Sequence, residues 1–218
     1  DKLVVAGNSF FDMFVNSVFF SVAGPLLSQY VCMTFAYACT KYKFPGSTFA
    51  YTLVMIVMTL PIYGTGGARY RLMAELGLID NYAIILTSAS GINICFLYYR
   101  AYFQNMSWAY AEAVMMDGGN AFDIFYRVMM PQTKPLFGAL FLSGWIGSWN
   151  SYDQALLYHP NLPTMPVGIY QFNIEMLYQA RMDILFAACV LVCIPALALF
   201  IIFNKTITSS VSVGGLKG

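Results

Sequence analysis

The stretch Glu112-Ala113-Val114-Met115-Met116-Asp117-Gly118, followed by Val128-Met129-Met130-Pro131, has the most specific residue types and spacing in this chain. Its chemistry is non-covalent. Glu112 offers a carboxylate to a basic or hydrogen-bonding partner, and Gly118 permits a bend that other residues resist. Val114, Met115, Met116, Ile124, Phe125, Met129 and Met130 supply more apolar surface than a solvated loop needs. A compact, well-punctuated element of this kind between two long apolar segments is a grip for something outside the lipid.

Covalent chemistry has no comparable candidate. There is no Gly-x4-Gly-Lys-Ser/Thr, and Gly64-Thr65-Gly66-Gly67 lacks the lysine and reads as a turn, so the chain is not expected to bind ATP itself. Neither Gly-x-Ser-x-Gly nor His-Glu-x-x-His occurs, so no catalytic residues are assigned. Cys32, Cys39, Cys95, Cys189 and Cys193 lie in apolar stretches and read as small buried hydrophobes. The one histidine, His159, sits in a Pro-rich loop. No metal site and no cofactor are expected.

The elements that must position the grip are apolar. Hydrophobic residues make up 59%, charged residues 10%, and mean hydropathy is +0.64, where a soluble domain carries about a quarter charged residues. Lipid is the fitting solvent. The 17% aromatic content suits Tyr and Trp at membrane interfaces. The net charge of +1 says nothing about nucleic acid, but no basic block is present to grip phosphates, so no nucleic-acid partner is expected.

Five apolar runs, 11–38, 48–62, 82–99, 136–157 and 184–203, predict five transmembrane helices, because backbone polar groups in lipid must be satisfied within the segment. The expected fold is an all-α membrane protein. Gly24-Pro25 marks a kink in the first run, and the second ends at Pro61. Placing the loop after the first run in the cytoplasm puts Lys41, Lys43, Arg100, Arg127, Lys134, Lys205 and Lys217 inside. Lys2, Arg69, Arg71 and Arg181 then lie outside, the favoured bias. Segment 100–135 and the tail 205–218 are then cytoplasmic.

Within 100–135, Ser107 predicts the cap of a helix over 108–116, which Asp117-Gly118-Gly119 stops. Asn120 predicts the cap of a second helix, with Asp123 in its first turn. Pro131 and Pro135 are expected to end that helix and separate it from the next span. The result is a helix-turn-helix elbow.

This segment resembles the cytoplasmic signature of ABC importer permeases: Glu-Ala-Ala, three residues, Gly, nine residues, Ile, one residue, Leu-Pro. Glu112-Ala113-Val114, Gly118, Val128 and Met130-Pro131 fall at that spacing, with apolar replacements at three places. Asn16-Ser17, Phe44-Pro45-Gly46, Leu76-Gly77-Leu78, Trp149-Asn150, Pro166-Val167-Gly168 and Gly215-Leu216-Lys217-Gly218 extend the resemblance to the sugar-importer branch, and to the smaller maltose-type permease in particular. The resemblance implies a single transmembrane domain over 1–218 in a bacterial-type inner membrane, with the coupling loop at 100–135. The family has six spans, and a further span is expected upstream of Asp1. A second permease, two cytoplasmic ATPase subunits, an extracytoplasmic solute-binding protein and a sugar substrate are the implied partners. Glu112, Ala113, Asp117, Gly118, Val128 and Pro131 are the implied ATPase-coupling residues.

Trp145, Trp149, Asn150, Tyr152 and Asp153 combine aromatic faces with hydrogen-bonding groups, as a sugar path requires. An interfacial aromatic belt fits the same residues. Ser88, Ser90, Gly91 and Asn93 form a small polar stripe that suits close helix packing or the path. Arg69 and Arg71 suit an external binding protein or a solvated loop. The tail is Ser-, Thr- and Gly-rich, consistent with disorder or with reaching between the ATPases. An ion-coupled carrier, an importer of a non-sugar solute and a membrane scaffold are the rival readings; a carrier would want ionisable residues within its spans and internal repeats.

Overall fold

A single 32-residue helix, α1 (Phe10–Lys41), opens the structure, a computed structural model that describes residues 9–42, 44–60, 64–90, 93–179 and 182–214. At 1.5 Å per residue α1 is roughly 48 Å long. Among the described residues it is the one helix long and apolar enough to cross a membrane alone. Pro25 lies inside it without ending it. There follow α2 (Ser47–Thr59), α3 (Gly66–Glu75), a 3-10 helix (Tyr82–Ser90), α4 (Ile94–Asn105) and α5 (Ala109–Met116). Next come α6 (Ala121–Asp123), a π-helical stretch (Ile124–Met129) and α7 (Met130–Gln132). The chain continues with α8 (Lys134–Asn150), α9 (Asp153–Tyr158), α10 (Met165–Gln179) and α11 (Met182–Gly214). No strand occurs among the described residues. Lys2, Lys43, Pro61, Gly91, Arg181 and Gly215-Leu216-Lys217-Gly218 lie outside them.

Several expected runs are divided or extended. The run 82–99 is a 3-10 helix and then α4, because the Asn93 side chain accepts the Cys95 amide and starts a new helix. The run 136–157 breaks after Asn150, whose side chain turns back to the Ile146 carbonyl; Ser151 then bonds Asp153 at the start of α9. The last run continues to Gly214. Its Thr and Ser residues each weaken a helix by only tenths of a kcal/mol, which an established helix tolerates.

The chain forms two compact units. Unit 1 takes residues 1–27, 62–89 and 142–202. In it, Asn16 of α1 donates to the Pro163 carbonyl and accepts from the Tyr82 hydroxyl at 2.7 Å. Ser17 accepts the Met165 amide at 2.6 Å, so one helix caps the start of another. Asp80 takes both the backbone and side-chain N–H groups of Asn161. Gly24 faces Ser88, and a Cβ on Gly144 would stand 3.3 Å from Pro25, so small residues set these approaches.

Unit 2 takes residues 28–61, 90–141 and 203–218. Cys32, Met33, Ala36 and Tyr37 of α1 meet Val54 of α2 and Phe96, Tyr99 and Phe103 of α4. Their spacing of three and four places each set on one helix face. Tyr99 donates to Gln29 at 2.6 Å inside this core. Ala111, Ile124, Phe125 and Met129 complete it, and these belong to the elbow.

Candidate functional site

The turn between α5 and α6 is fixed by backbone geometry. Gly118 has φ +78°, a left-handed conformation that costs an L-side chain about 1–2 kcal/mol. Gly119 N–H bonds the Val114 carbonyl at 2.9 Å and Gly118 N–H bonds the Met115 carbonyl at 3.0 Å. These are the two bonds of a Schellman stop. Gly119 is also required for space: a Cβ there would lie 2.5 Å from Val114 Cγ1 and 3.0 Å from the Val114 oxygen.

The next helix starts with equal definition. Asn120 Oδ1 accepts the Phe122 and Asp123 amides, and Asp123 Oδ2 accepts the Asn120 amide. This reciprocal capping box satisfies otherwise orphaned donors. Asp123 also pairs with Arg127 at 3.1 Å. At the entry, Ser107 Oγ accepts the Ala109 amide.

The helical backbone that starts at Ala121 runs to Gln132 and stops at Thr133, so Pro131 and Pro135 flank the break before α8. Pro131 lies in the first turn of α7 and Pro135 in the first turn of α8, with Thr133 the one non-helical residue between. Pro135 stands in the first turn of α8, where the donor it lacks has no partner in any case. The Tyr102 hydroxyl donates to the Gln132 carbonyl and the Thr133 hydroxyl to the Met130 carbonyl, so the junction keeps its acceptors occupied.

The elbow has two faces. Ala111, Ile124, Phe125 and Met129 are buried in unit 2. Glu112, Ala113, Asp117 and Gly118 are exposed, while Val128 and Pro131 are half-buried. Met116 is 88% exposed and Phe122 is 74% exposed, with Met115 and Tyr126 also open. Phe122 and Tyr126 escaped the sequence reading; they fall among the nine unspecified positions between Gly118 and Val128, although large apolar residues beside the Asn120 cap were a visible signal. The Tyr126 and Tyr30 hydroxyls share a hydrogen bond, which holds the Tyr126 phenol above its usual pKa. The arrangement presents two exposed carboxylates, Glu112 and Asp117, beside an apolar tip on a turn fixed by its own hydrogen bonds.

The aromatic and polar residues at the end of α8 divide into two sets within unit 1. Trp145 and Trp149 are buried and stacked, 4.9 Å between ring centroids, with Phe14 edge-on to Trp149. Asn150, Tyr152 and Asp153 are exposed. Tyr152 stacks on Tyr170 at 5.1 Å, a partner the sequence reading missed because it lies on α10. Nearby in the chain, His159 is buried flat against Phe20 at 4.3 Å. Burial holds its imidazole below the usual value, against smaller upward pulls from the Tyr158 backbone and Asp80.

Residues 10–213 match the family model described as binding-protein-dependent transport system inner membrane component. The arabinooligosaccharides transport system permease protein AraQ of Bacillus subtilis (strain 168) is 28% identical over 97% of this chain and 75% of its own length. The galactooligosaccharides transport system permease protein GanQ of the same organism is 27% identical over 94% of this chain and 74% of its own. Among solved structures, a bacterial ABC transporter involved in import of the acidic polysaccharide alginate aligns with a TM-score of 0.75 at 24% identity. That alignment covers 94% of this chain and 75% of the other.

Proposed function

Because the chain belongs to the family of binding-protein-dependent transport system inner membrane components and is a permease subunit of an ABC importer, we propose that segment 100–135 is its coupling loop and that its cargo is a sugar or oligosaccharide. The chain is embedded in the membrane and works with binding-protein-dependent partners. The finer assignments are a multi-pass subunit of a bacterial-type inner membrane, one second permease, two ATPases that carry out all hydrolysis, and an extracytoplasmic binding protein. The oligosaccharide permeases among the relatives support the cargo class.

One observation carries the coupling role. The elbow is locked by a Schellman stop and a capping box, buried on one face, and open at Met116 and Phe122 beside Glu112 and Asp117. Exposed apolar tips on a rigid base are what a partner cleft requires. Motion of an ATPase then moves unit 2's α1 and α4 with the elbow, because Ile124, Phe125 and Met129 pack among their side chains. Asn150, Tyr152 and Asp153 are the accessible residues of the assigned path, and Trp145 and Trp149 are its buried members.

Reconstituted uptake tests the reading. Sugar uptake must require ATP and the ATPase partners, and Gly118→Pro or Glu112→Lys must abolish ATPase association or coupling with membrane insertion intact. Uptake driven by a cation gradient without ATP, or coupled hydrolysis that survives both changes, overturns it.

A further inference from the structure

Among the described residues of unit 2, Arg100 is a charge without a counter-charge. Its guanidinium carbon lies 3.3 Å from the centroid of the Tyr51 ring, and its Nε is buried with no hydrogen-bond acceptor. Guanidinium stays ionised in proteins. The stretches that make unit 2 contain three carboxylates, Glu112, Asp117 and Asp123, all within the elbow, and Asp123 already pairs with Arg127. Within the unit, Arg100 therefore has a cation–π contact and no anion.

The element beneath it points to what the anion is. Tyr51 lies just past the first turn of α2, whose N-cap is Gly46 with φ +107° and no side-chain cap. The first amides of α2 thus lack the side-chain acceptor that Ser, Thr, Asp or Asn would supply. Away from the core, α2 exposes Phe49, Leu53, Ile56 and Val57. Their spacing is four, three and one, an apolar stripe along one face. At the same end, Lys41 closes α1 and donates to the Met106 carbonyl at 2.6 Å, leaving ammonium donors over. A cation, an open helix start and an apolar stripe running away from them match one amphiphile: an anionic head on hydrocarbon tails.

We propose that Arg100, with the uncapped start of α2 and Lys41, binds the headgroup of an anionic phospholipid whose acyl chains lie along the exposed face of α2. The site borders the coupling segment, since Arg100 opens that segment and Lys41 holds the Met106 carbonyl, and it rests only on the chain being embedded in a membrane. Each basic residue near a headgroup contributes about fivefold in anionic-lipid affinity.

The test uses the assembled importer in nanodiscs of phosphatidylcholine with or without phosphatidylglycerol, with retained lipids counted by native mass spectrometry. The wild type must retain phosphatidylglycerol over phosphatidylcholine. Arg100→Gln must weaken that retention about fivefold and leave phosphatidylcholine unchanged. Arg100→Lys, which keeps the charge, must restore part of it. Should Arg100→Gln fail to assemble, the wild type alone decides: its preference must fall as ionic strength rises. A wild type indifferent to headgroup and salt overturns the proposal. So does equal retention by Arg100→Gln, or emptying of the site by inorganic phosphate while the lipid is present.

Discussion

Alanine at Gly119, just outside the signature spacing, should damage the elbow more than alanine at Gly118 within it. At Gly118 a Cβ meets nothing within 4 Å, so the cost is the left-handed backbone alone, about 1 kcal/mol. At Gly119 a Cβ lies 2.5 Å from Val114 Cγ1 and 3.0 Å from the Val114 oxygen that accepts the Gly119 amide. Valine in a helix is held to one rotamer, so relief requires moving the backbone and stretching that hydrogen bond. Overpacking costs about 1–3 kcal/mol, and the lost bond adds about 1 kcal/mol. When only the native elbow docks, apparent affinity falls with the fraction that holds its shape. The limits are about fivefold for Gly118→Ala and about a hundredfold for Gly119→Ala. The assay is titration of the detergent-solubilised permease complex with its purified ATPase subunits. Val114→Ala in the Gly119→Ala background must recover part of the loss, since it removes the nearer clash and leaves the oxygen. If Gly118→Ala proves the weaker binder of the two, or Val114→Ala restores nothing, the turn does not set docking as argued.

Replacing Met116 and Phe122 together by serine should change thermal stability by no more than about 0.5 kcal/mol, because both are exposed; ATPase co-purification should nonetheless drop at least about tenfold. Asn16→Ala orphans the Pro163 carbonyl and the Tyr82 hydroxyl and should cost about 2–4 kcal/mol in a melting experiment on the purified permease. For His159 the folded pKa is lowered, so the unfolded chain takes up the proton first. Its stabilisation is complete above about pH 6.5 and declines as pH falls from there toward the folded value. Melting from about pH 8 down to about pH 5 should show that decline, and His159→Phe, which keeps the stack on Phe20, should flatten it.

What the sequence reveals depends on how local the signal is. The turn at Asp117-Gly118-Gly119 and the Asn120–Asp123 cap are readable because each satisfies its hydrogen bonds within a few residues. The inner face of the second elbow helix is readable as well: α-helical spacing groups Ile124, Phe125, Val128 and Met129, of which Val128 is half-buried and the others buried. The i→i+5 ladder over 124–129 is not readable, because no residue type announces it. The run 82–99 misled for a different reason: its composition is apolar throughout, and the break at Asn93 depends on one side chain turning to its own backbone. Trp145 and Trp149 show the limit most clearly. A tryptophan that faces a path and one packed against Phe14 have the same sequence signature, and tertiary contact decides between them.

A lever must be clamped where it joins what it moves, and the elbow is clamped at both ends to helices outside its own sequence. At its entry, Lys41 of α1 holds the Met106 carbonyl. At its exit, Tyr102 of α4 holds the Gln132 carbonyl, and the Thr133 hydroxyl touches Met33 of α1 at 3.3 Å. Midway, Tyr126 bonds Tyr30. Each tie contributes only about 1 kcal/mol, but they act on a segment whose interior is already fixed by its two caps. Deforming the elbow against α1 and α4 requires breaking ties at separate points together, whereas displacing all three as a body breaks none of them. In the proposed coupling role, force on Met116 or Phe122 is therefore passed on as movement of α1 and α4 before it is absorbed as bending. Phe125 packs on Tyr37 at 4.8 Å, and Tyr37 on Phe103 at 5.4 Å, so the load path inside unit 2 runs through ring contacts that close packing makes incompressible. Tyr37→Ala should open a cavity on that path and uncouple hydrolysis from uptake while leaving ATPase docking, measured by co-purification, unchanged; loss of docking in this variant would place Tyr37 in the frame of the elbow and not in the transmission.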